Sequence, residues 1–148
     1  MSTPISPDGL LIGALLRYPA RAVQRRIIAG LNAAGFDDLR IPHMAVLQYP
    51  GPHEVRPSVL AERAGMSKQA MNQLLHSLER LGYIERHGTT GRARVVCFTQ
   101  RGHAAWAMID EILRTVEVEW SAELGQERFA QLKDILREVW RSPLLVTP

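Results

Sequence analysis

The stretch SVLAERAGMSKQAMNQLLHSLERL, residues 58–81, has the pattern of two helices joined by a tight turn. We expect Gly65 to end the first helix, because glycine readily adopts the left-handed conformation that such a turn requires. Ser67 is a favourable N-cap for the second helix, which we expect to run from Lys68 to about Leu81. A helix that follows a short glycine-containing turn is typical of a helix-turn-helix.

The polar face of the second helix indicates what the motif binds. Apolar residues from Met71 to Leu81 recur at helical spacing and predict one buried face. The first turns of the opposite face carry amides, an imidazole and an amine rather than the Glu/Lys pairs of a merely solvated helix. Amides pair with adenine edges, and lysine pairs with guanine or phosphate. We therefore expect this face to read bases with Lys68, Gln69, Asn72, Gln73 and His76.

Two short strands are expected after this helix. Residues 95–98 are β-branched and aromatic, and a polar stretch separates them from residues 83–86, which predicts a hairpin wing. Arg92 and Arg94 lie near its tip, and arginine is suited to the narrow, negative minor groove. Residues 58–102 carry seven Lys/Arg against three Asp/Glu, a net charge of +4 that suits a phosphate backbone. The region therefore predicts a winged helix-turn-helix that binds double-stranded DNA.

Helical patterns also precede this region. Ser6 is a suitable N-cap, and the apolar spacing that follows predicts a helix that Pro19 kinks or splits and Gly35 ends. A short helix over residues 42–48 comes next, with Met44 and Leu47 facing inward. We expect these helices to take part in dimerisation.

The last third of the chain has the clearest helical periodicity. Apolar residues step by three and four from Trp106 to Trp120 and, past Gly125, from Phe129 to Val139. Because two such helices exceed what a compact centre can cover, we expect them to pack against a second subunit in a homodimer.

The predicted fold class is mainly α, with a two-stranded wing that makes it α+β. N-terminal dimerisation helices and a connector occupy residues 1–57, and the winged helix-turn-helix occupies residues 58–102. C-terminal dimerisation helices occupy residues 103–148, and all three parts belong to one compact chain.

Composition sets the broad class of protein. The 148 residues are 46% hydrophobic and 22% charged, which favours a folded globular chain. No apolar run reaches the roughly 20 residues of a membrane helix, and the first residues lack a signal-peptide pattern. A single cysteine, Cys97, provides no disulfide framework. We therefore expect a cytoplasmic protein without membrane contact.

Residues 60–70, 78–86, 91–94 and 98–102 resemble the multiple-antibiotic-resistance regulator (MarR) family. The resemblance implies a homodimer on a pseudo-palindromic operator, usually a repressor and sometimes released by a small molecule. It adds Ser67 to the base-reading positions named above, and it places the wing arginine of an Asp-x-Arg signature on Arg92. Thr90 stands where that signature has aspartate, so we expect Arg92 to be held less firmly than in relatives.

An effector pocket is a further expectation of this resemblance. The first helices should meet the long C-terminal helix in a mostly apolar cleft with a few polar groups. Such a cleft suits a small aromatic or phenolic ligand. Its expected lining residues are Tyr18, His43, Met44 and Trp106.

Other functions are open alternatives. The five histidines show no i, i+3 or i, i+4 pair, although ligands scattered over two subunits would still allow a metal sensor. A redox sensor would use Cys97, whose pKa the nearby Arg94 and Arg101 would lower. A winged-helix protein-interaction module would need an acidic or apolar recognition face. No nucleophile elbow, glycine loop or paired-carboxylate motif indicates an enzyme, and we expect no cofactor and no bound metal.

Overall fold

The computed structural model describes residues 6–48, 54–88 and 94–143. Most of this part of the chain is helical, and its two strands form one antiparallel sheet, which confirms the predicted fold class. No helix in these ranges is long and apolar enough to cross a bilayer. In chain order the elements are α1 (Ile12–Ala33), a 3-10 turn (Ile41–His43), α2 (Met44–Leu47), α3 (Pro57–Ala64), α4 (Lys68–Arg80), β1 (Ile84–His87), β2 (Val95–Phe98), α5 (Gln100–Leu124) and α6 (Gln126–Trp140).

Packing divides the chain into two units, Met1–Ile112 and Leu113–Pro148. The first unit contains a continuous apolar core beneath the helix-turn-helix. Side chains from α1, α2, α3, α4, β1 and the first part of α5 are buried in it. These buried side chains include Ile27, Leu31, Met44, Val46, Leu47, Leu60, Met71, Leu75, Leu78, Ile84 and Ile109.

Two glycines allow α5 to approach its neighbours in the first unit closely. A Cβ atom at Gly30 of α1 would lie only 2.4 Å from Cδ1 of Ile112. A Cβ atom at Gly102 would lie 2.0 Å from the carbonyl oxygen of Tyr83, just before β1. A larger residue at Gly102 would push α5 away from the backbone at the base of the wing, whereas at Gly30 it would displace the Ile112 side chain.

The wing is a two-stranded antiparallel sheet in which Ile84 pairs with Phe98 and His87 with Val95. Val55 adds an isolated antiparallel bridge to Val96, with both backbone N–H groups donating across it. Val55, two residues before α3, is therefore tied to the wing. This bridge brings the start of α3 next to the sheet.

The predicted start of the first helix is wrong. The Ser6 hydroxyl bonds to the carboxylate of Asp8, and α1 begins later, at Ile12, with Leu11 in the N-cap position and no side-chain cap. The helix also runs through Pro19 without being split. A proline removes only one i→i−4 hydrogen bond, and the long helix continues on both sides of it.

The second unit contains the end of α5 and all of α6. Gly125, with φ of 90°, forms the predicted break between them. Val116 and Phe129 are buried, and Lys133 pairs with Glu117 at 2.9 Å. Several large apolar side chains of this unit are nevertheless exposed: Val118, Ile135, Leu136, Val139 and Trp140.

Candidate nucleic-acid interface

The turn between α3 and α4 forms as its sequence predicts. Gly65 has φ of 62° and ψ of 35°, the left-handed conformation, and the Met66 N–H donates to the carbonyl of Ala61 at 3.0 Å. The Ser67 hydroxyl accepts the backbone N–H of Ala70 at 3.1 Å and caps α4. The orientation of α4 is thus fixed from its first residue.

α4 has one buried and one exposed face. Met71, Leu75 and Leu78 are fully buried, and the exposed side carries every polar residue that we expect to read bases. Those residues are Ser67, Lys68, Gln69, Asn72, Gln73 and His76. Their contact with DNA stays a prediction, but their side chains lie on the surface that such contact requires.

Of the two predicted wing arginines, Arg92 and Arg94, the structure describes only Arg94. Arg94 is exposed directly before β2. Arg92 and Thr90 lie outside the described residues, so the expectation that Arg92 is loosely held has no structural counterpart here.

A basic cleft lies where the start of α3, the start of α4 and the wing converge. Its volume is about 360 Å³. It contains predicted residues, Lys68, Asn72 and Arg94, together with two arginines that sequence reasoning missed, Arg56 and Arg86. The lining residues are Arg56, Pro57, Ser58, Lys68, Asn72, Arg86 and Arg94, which we call the basic cleft.

Arg86 could have been found from the strand pattern. Alternate residues of a strand point to the same face. Arg86 therefore lies on the same face of β1 as Ile84, which is buried. An arginine at an inward position of a wing is unusual enough to indicate a specific role.

His43 contacts α4 from the side of the core. Its Nδ1 accepts the backbone N–H of Arg40 at 3.0 Å, and its Nε2 lies 3.1 Å from the Ser77 hydroxyl of α4. Because Nδ1 accepts, the neutral ring carries its proton on Nε2 and donates to Ser77. Burial, reinforced by the charge of Arg40, lowers the pKa of His43.

A polar network ties the base of the wing to α5. Asp38 accepts the Tyr83 hydroxyl at 2.5 Å and the Arg101 guanidinium at 2.9 Å, and that guanidinium lies 4.3 Å from the centre of the Tyr83 ring. Burial opposes ionisation of Asp38, but these hydrogen bonds outweigh it and lower its pKa. Burial and the adjacent carboxylate raise the pKa of Tyr83. The network therefore carries a fixed charge pair.

The four residues predicted to line an effector pocket have different surroundings. Tyr18 is exposed and lines an open cleft of about 410 Å³ along the first half of α1, and none of the other three lines that cleft. Met44 is in the core, and His43 is occupied by the contacts above. Trp106 is half-buried on α5.

Cys97 does not have the environment that the redox-sensor alternative requires. Arg101, which that alternative needs to lower the Cys97 pKa, is instead bound to Asp38. Burial and the nearby carboxylate of Glu54 raise the pKa of Cys97, which disfavours the reactive thiolate. Within the described ranges, no three His, Cys, Asp or Glu side chains lie together as a metal site.

Comparison with known proteins relates this interface to a family. Residues 37–94 match the MarR family. The chain is 26% identical to the MarR family protein Rv2887 of Mycobacterium tuberculosis, solved with salicylic acid, with a TM-score of 0.63 over 90% of this chain and 99% of that one. The transcriptional regulator PA4135 has a TM-score of 0.71 at 22% identity, over 94% of this chain and 99% of that one. NadR in complex with 4-hydroxyphenylacetate has a TM-score of 0.70 at 20% identity, with the same coverage. No curated protein matches the sequence.

Proposed function

We propose that the chain is a member of the MarR family, whose model matches residues 37–94, and that it binds operator DNA sequence-specifically as a homodimer. The observation that carries this proposal is the exposed polar face of α4. Its residues match base edges chemically, and the Ser67 cap fixes where they begin. Repression is the mode of action that the family resemblance implies.

The recognition helix would enter the major groove by its N-terminal end. Gln69, Asn72 and Gln73 occupy its first turns, where a helix-turn-helix contacts base edges. Glu79, which phosphate would repel, lies near the opposite end of the helix. This order of residues favours DNA over a protein partner, for which we would expect an acidic or apolar face on α4.

Single amide replacements test the reading face. Asn72→Ala and Gln73→Ala should each cost about 1–3 kcal/mol on a selected duplex and relax the preference at one base position. Gln131→Ala is the matched control, because Gln131 is an exposed glutamine of α6. Binding by both variants with unchanged base preference would contradict the proposal.

The wing arginines should act differently. Arg92→Ala should weaken all duplexes evenly and make the salt dependence of log K shallower by about one unit. Its effect on the operator should be smaller than that of Asn72→Ala, because Thr90 replaces the aspartate of the family signature. Loss of base preference in Arg92→Ala, with none in Asn72→Ala, would reverse these assignments.

A small aromatic acid is the effector that we propose. The support is the salicylic acid complex of the similar protein Rv2887. In this chain the open cleft along α1 combines apolar residues and Tyr18 with two arginines that suit a carboxylate, Arg17 and Arg21. Salicylate should raise Tm and weaken DNA binding, and Arg21→Gln should reduce both effects. Unchanged Tm and DNA affinity across a panel of aromatic acids would refute it.

A further inference from the structure

We propose that the basic cleft seats one phosphate of the DNA backbone, with Arg86 as the buried cation that holds it. This inference rests on the proposed function and adds to it a contact that the sequence did not indicate. Among the described residues that line the cleft, four have basic side chains: Arg56, Lys68, Arg86 and Arg94. None of these described lining residues has a carboxylate. Such a lining favours an anion.

Arg86 is the strongest indication that the cleft binds a ligand. Its side chain is only 8% exposed, and its Nε lies 3.4 Å from a carboxylate oxygen of Glu79. Within the described part of the chain, its buried Nε and Nη2 atoms have no hydrogen-bond acceptor. Leaving guanidinium nitrogens buried and unbonded is costly. Phosphate oxygens would satisfy them with the two-pronged geometry that guanidinium prefers.

The start of α3 contributes a second element. Arg56 is its N-cap residue and has no side-chain cap, and Pro57 occupies the first turn. The first N–H groups of a helix have no partner within the helix, and its dipole attracts anions. Ser58, in the first turn of α3, also lines the cleft.

The position of the cleft favours a DNA phosphate over a free anion. Lys68 and Asn72 line the cleft and also belong to the exposed reading face of α4. A phosphate held here would lie at the edge of the groove that α4 enters. Phosphate contacts of this kind set the register of the protein, whereas base contacts give specificity.

Arg86 could alternatively serve only to brace the wing against Glu79. The two roles predict opposite results for Glu79→Gln. If Glu79 merely competes with phosphate for the guanidinium, its neutralisation should leave DNA affinity unchanged or higher. A bracing pair would instead make Glu79→Gln weaken DNA binding as Arg86→Gln does, which would overturn the proposal.

The test measures the affinity of the full chain for a duplex of arbitrary sequence at several salt concentrations. In Arg86→Gln the slope of log K against log salt should become shallower by roughly 0.9 per protomer, with base preference unchanged. Arg56→Gln, at an exposed position, should do the same and keeps the test valid if Arg86→Gln unfolds. Arg80→Gln is the control, because exposed Arg80 lies about 18 Å from Lys68 along α4.

Three further outcomes would overturn the inference. The first is a wild-type slope in both Arg56→Gln and a folded Arg86→Gln. The second is a free-anion site, in which inorganic phosphate raises the Tm of the wild type but not of Arg86→Gln while both share one salt slope. The third is a wild-type chain that binds no duplex at any salt concentration, which would refute the proposed function as well.

Discussion

The recognition helix α4 and the terminal helix α6 are both amphipathic, but they bury their apolar residues differently. In α4, Met71, Leu75 and Leu78 are fully enclosed by the chain's own core. In α6, all of which the structure describes, Phe129 is the one buried residue, and Trp140 is 70% exposed. The apolar face of α4 is covered by the same chain, whereas the apolar face of α6 is exposed to water.

This difference indicates where we expect a partner to bind. A solvated helix of a monomer seldom exposes Ile135, Leu136, Val139 and Trp140 together. The first half of α1 has the same character, with Leu11 82% exposed and Ile12 also exposed. We propose a second copy of the chain as the partner, because a two-fold operator requires two recognition helices.

The largest effect should come from placing charge on the open face of α6. Leu136→Glu combined with Val139→Glu should convert a dimer into a monomer and weaken operator binding about 10²–10⁴-fold, because two linked readers become independent. Sedimentation and DNA titration measure the two effects. Gln131→Glu adds a charge to the same helix and should change neither. If the wild-type chain is a folded monomer at micromolar concentration, the exposed face of α6 is not covered by a second copy.

The enclosed face of α4 should respond through stability instead. Leu75→Ala leaves a cavity in the core and should lower the free energy of unfolding by about 2–5 kcal/mol. Ile135→Ala, at another exposed apolar position of α6, should cost a folded monomer much less. Urea titrations of both variants in the monomeric background of the preceding experiment check this. Equal losses would show that the two faces are not different.

A smaller effect is expected at the network below the wing. Asp38→Asn removes the ion pair with Arg101 and weakens the bond from Tyr83, and it should cost about 1–2 kcal/mol of stability. Asp37→Asn is the neighbouring control, and thermal melts compare the two. A destabilisation that Asp37→Asn reproduces would mean that the network contributes nothing specific.

The smallest effect should be a pH dependence from His43. Because burial lowers its pKa in the folded chain, the unfolded chain takes up this proton first as pH falls. Stability should therefore decline as pH falls through the ordinary value of 6.5 and level off below the folded-state pKa. His43→Gln should remove this decline in urea titrations between pH 8 and pH 5. Persistence of the full decline in His43→Gln would assign it to other groups.

The sequence predicted the recognition motif well because its signals are local. The Gly65 turn, the Ser67 cap and the apolar spacing of α4 all act within a few residues, and the structure bears each of them out. The wing and the break at Gly125 have equally local signals. The domain boundaries and the DNA contacts themselves stay predictions.

The remaining features depend on residues far apart in sequence. His43 meets Ser77, and Asp38 meets Arg101, only once the core has formed. The basic cleft likewise joins Arg56 to Arg86 and Arg94 through the packing of α3 against the wing. The local signal at Ser6 gave a wrong helix start, because a residue that suits an N-cap does not by itself make a helix begin there.

The most direct measurement is the selection of bound sequences from random duplex DNA at two salt concentrations, using the wild-type chain of 148 residues. A dimer whose recognition helices lie one helical turn apart should enrich a two-fold symmetric site with half-site centres about 10 base pairs, or roughly 34 Å, apart. Higher salt should weaken binding and sharpen the preference, because phosphate contacts lose more than base contacts. Enrichment of a single asymmetric half-site, or of no sequence, would contradict the account.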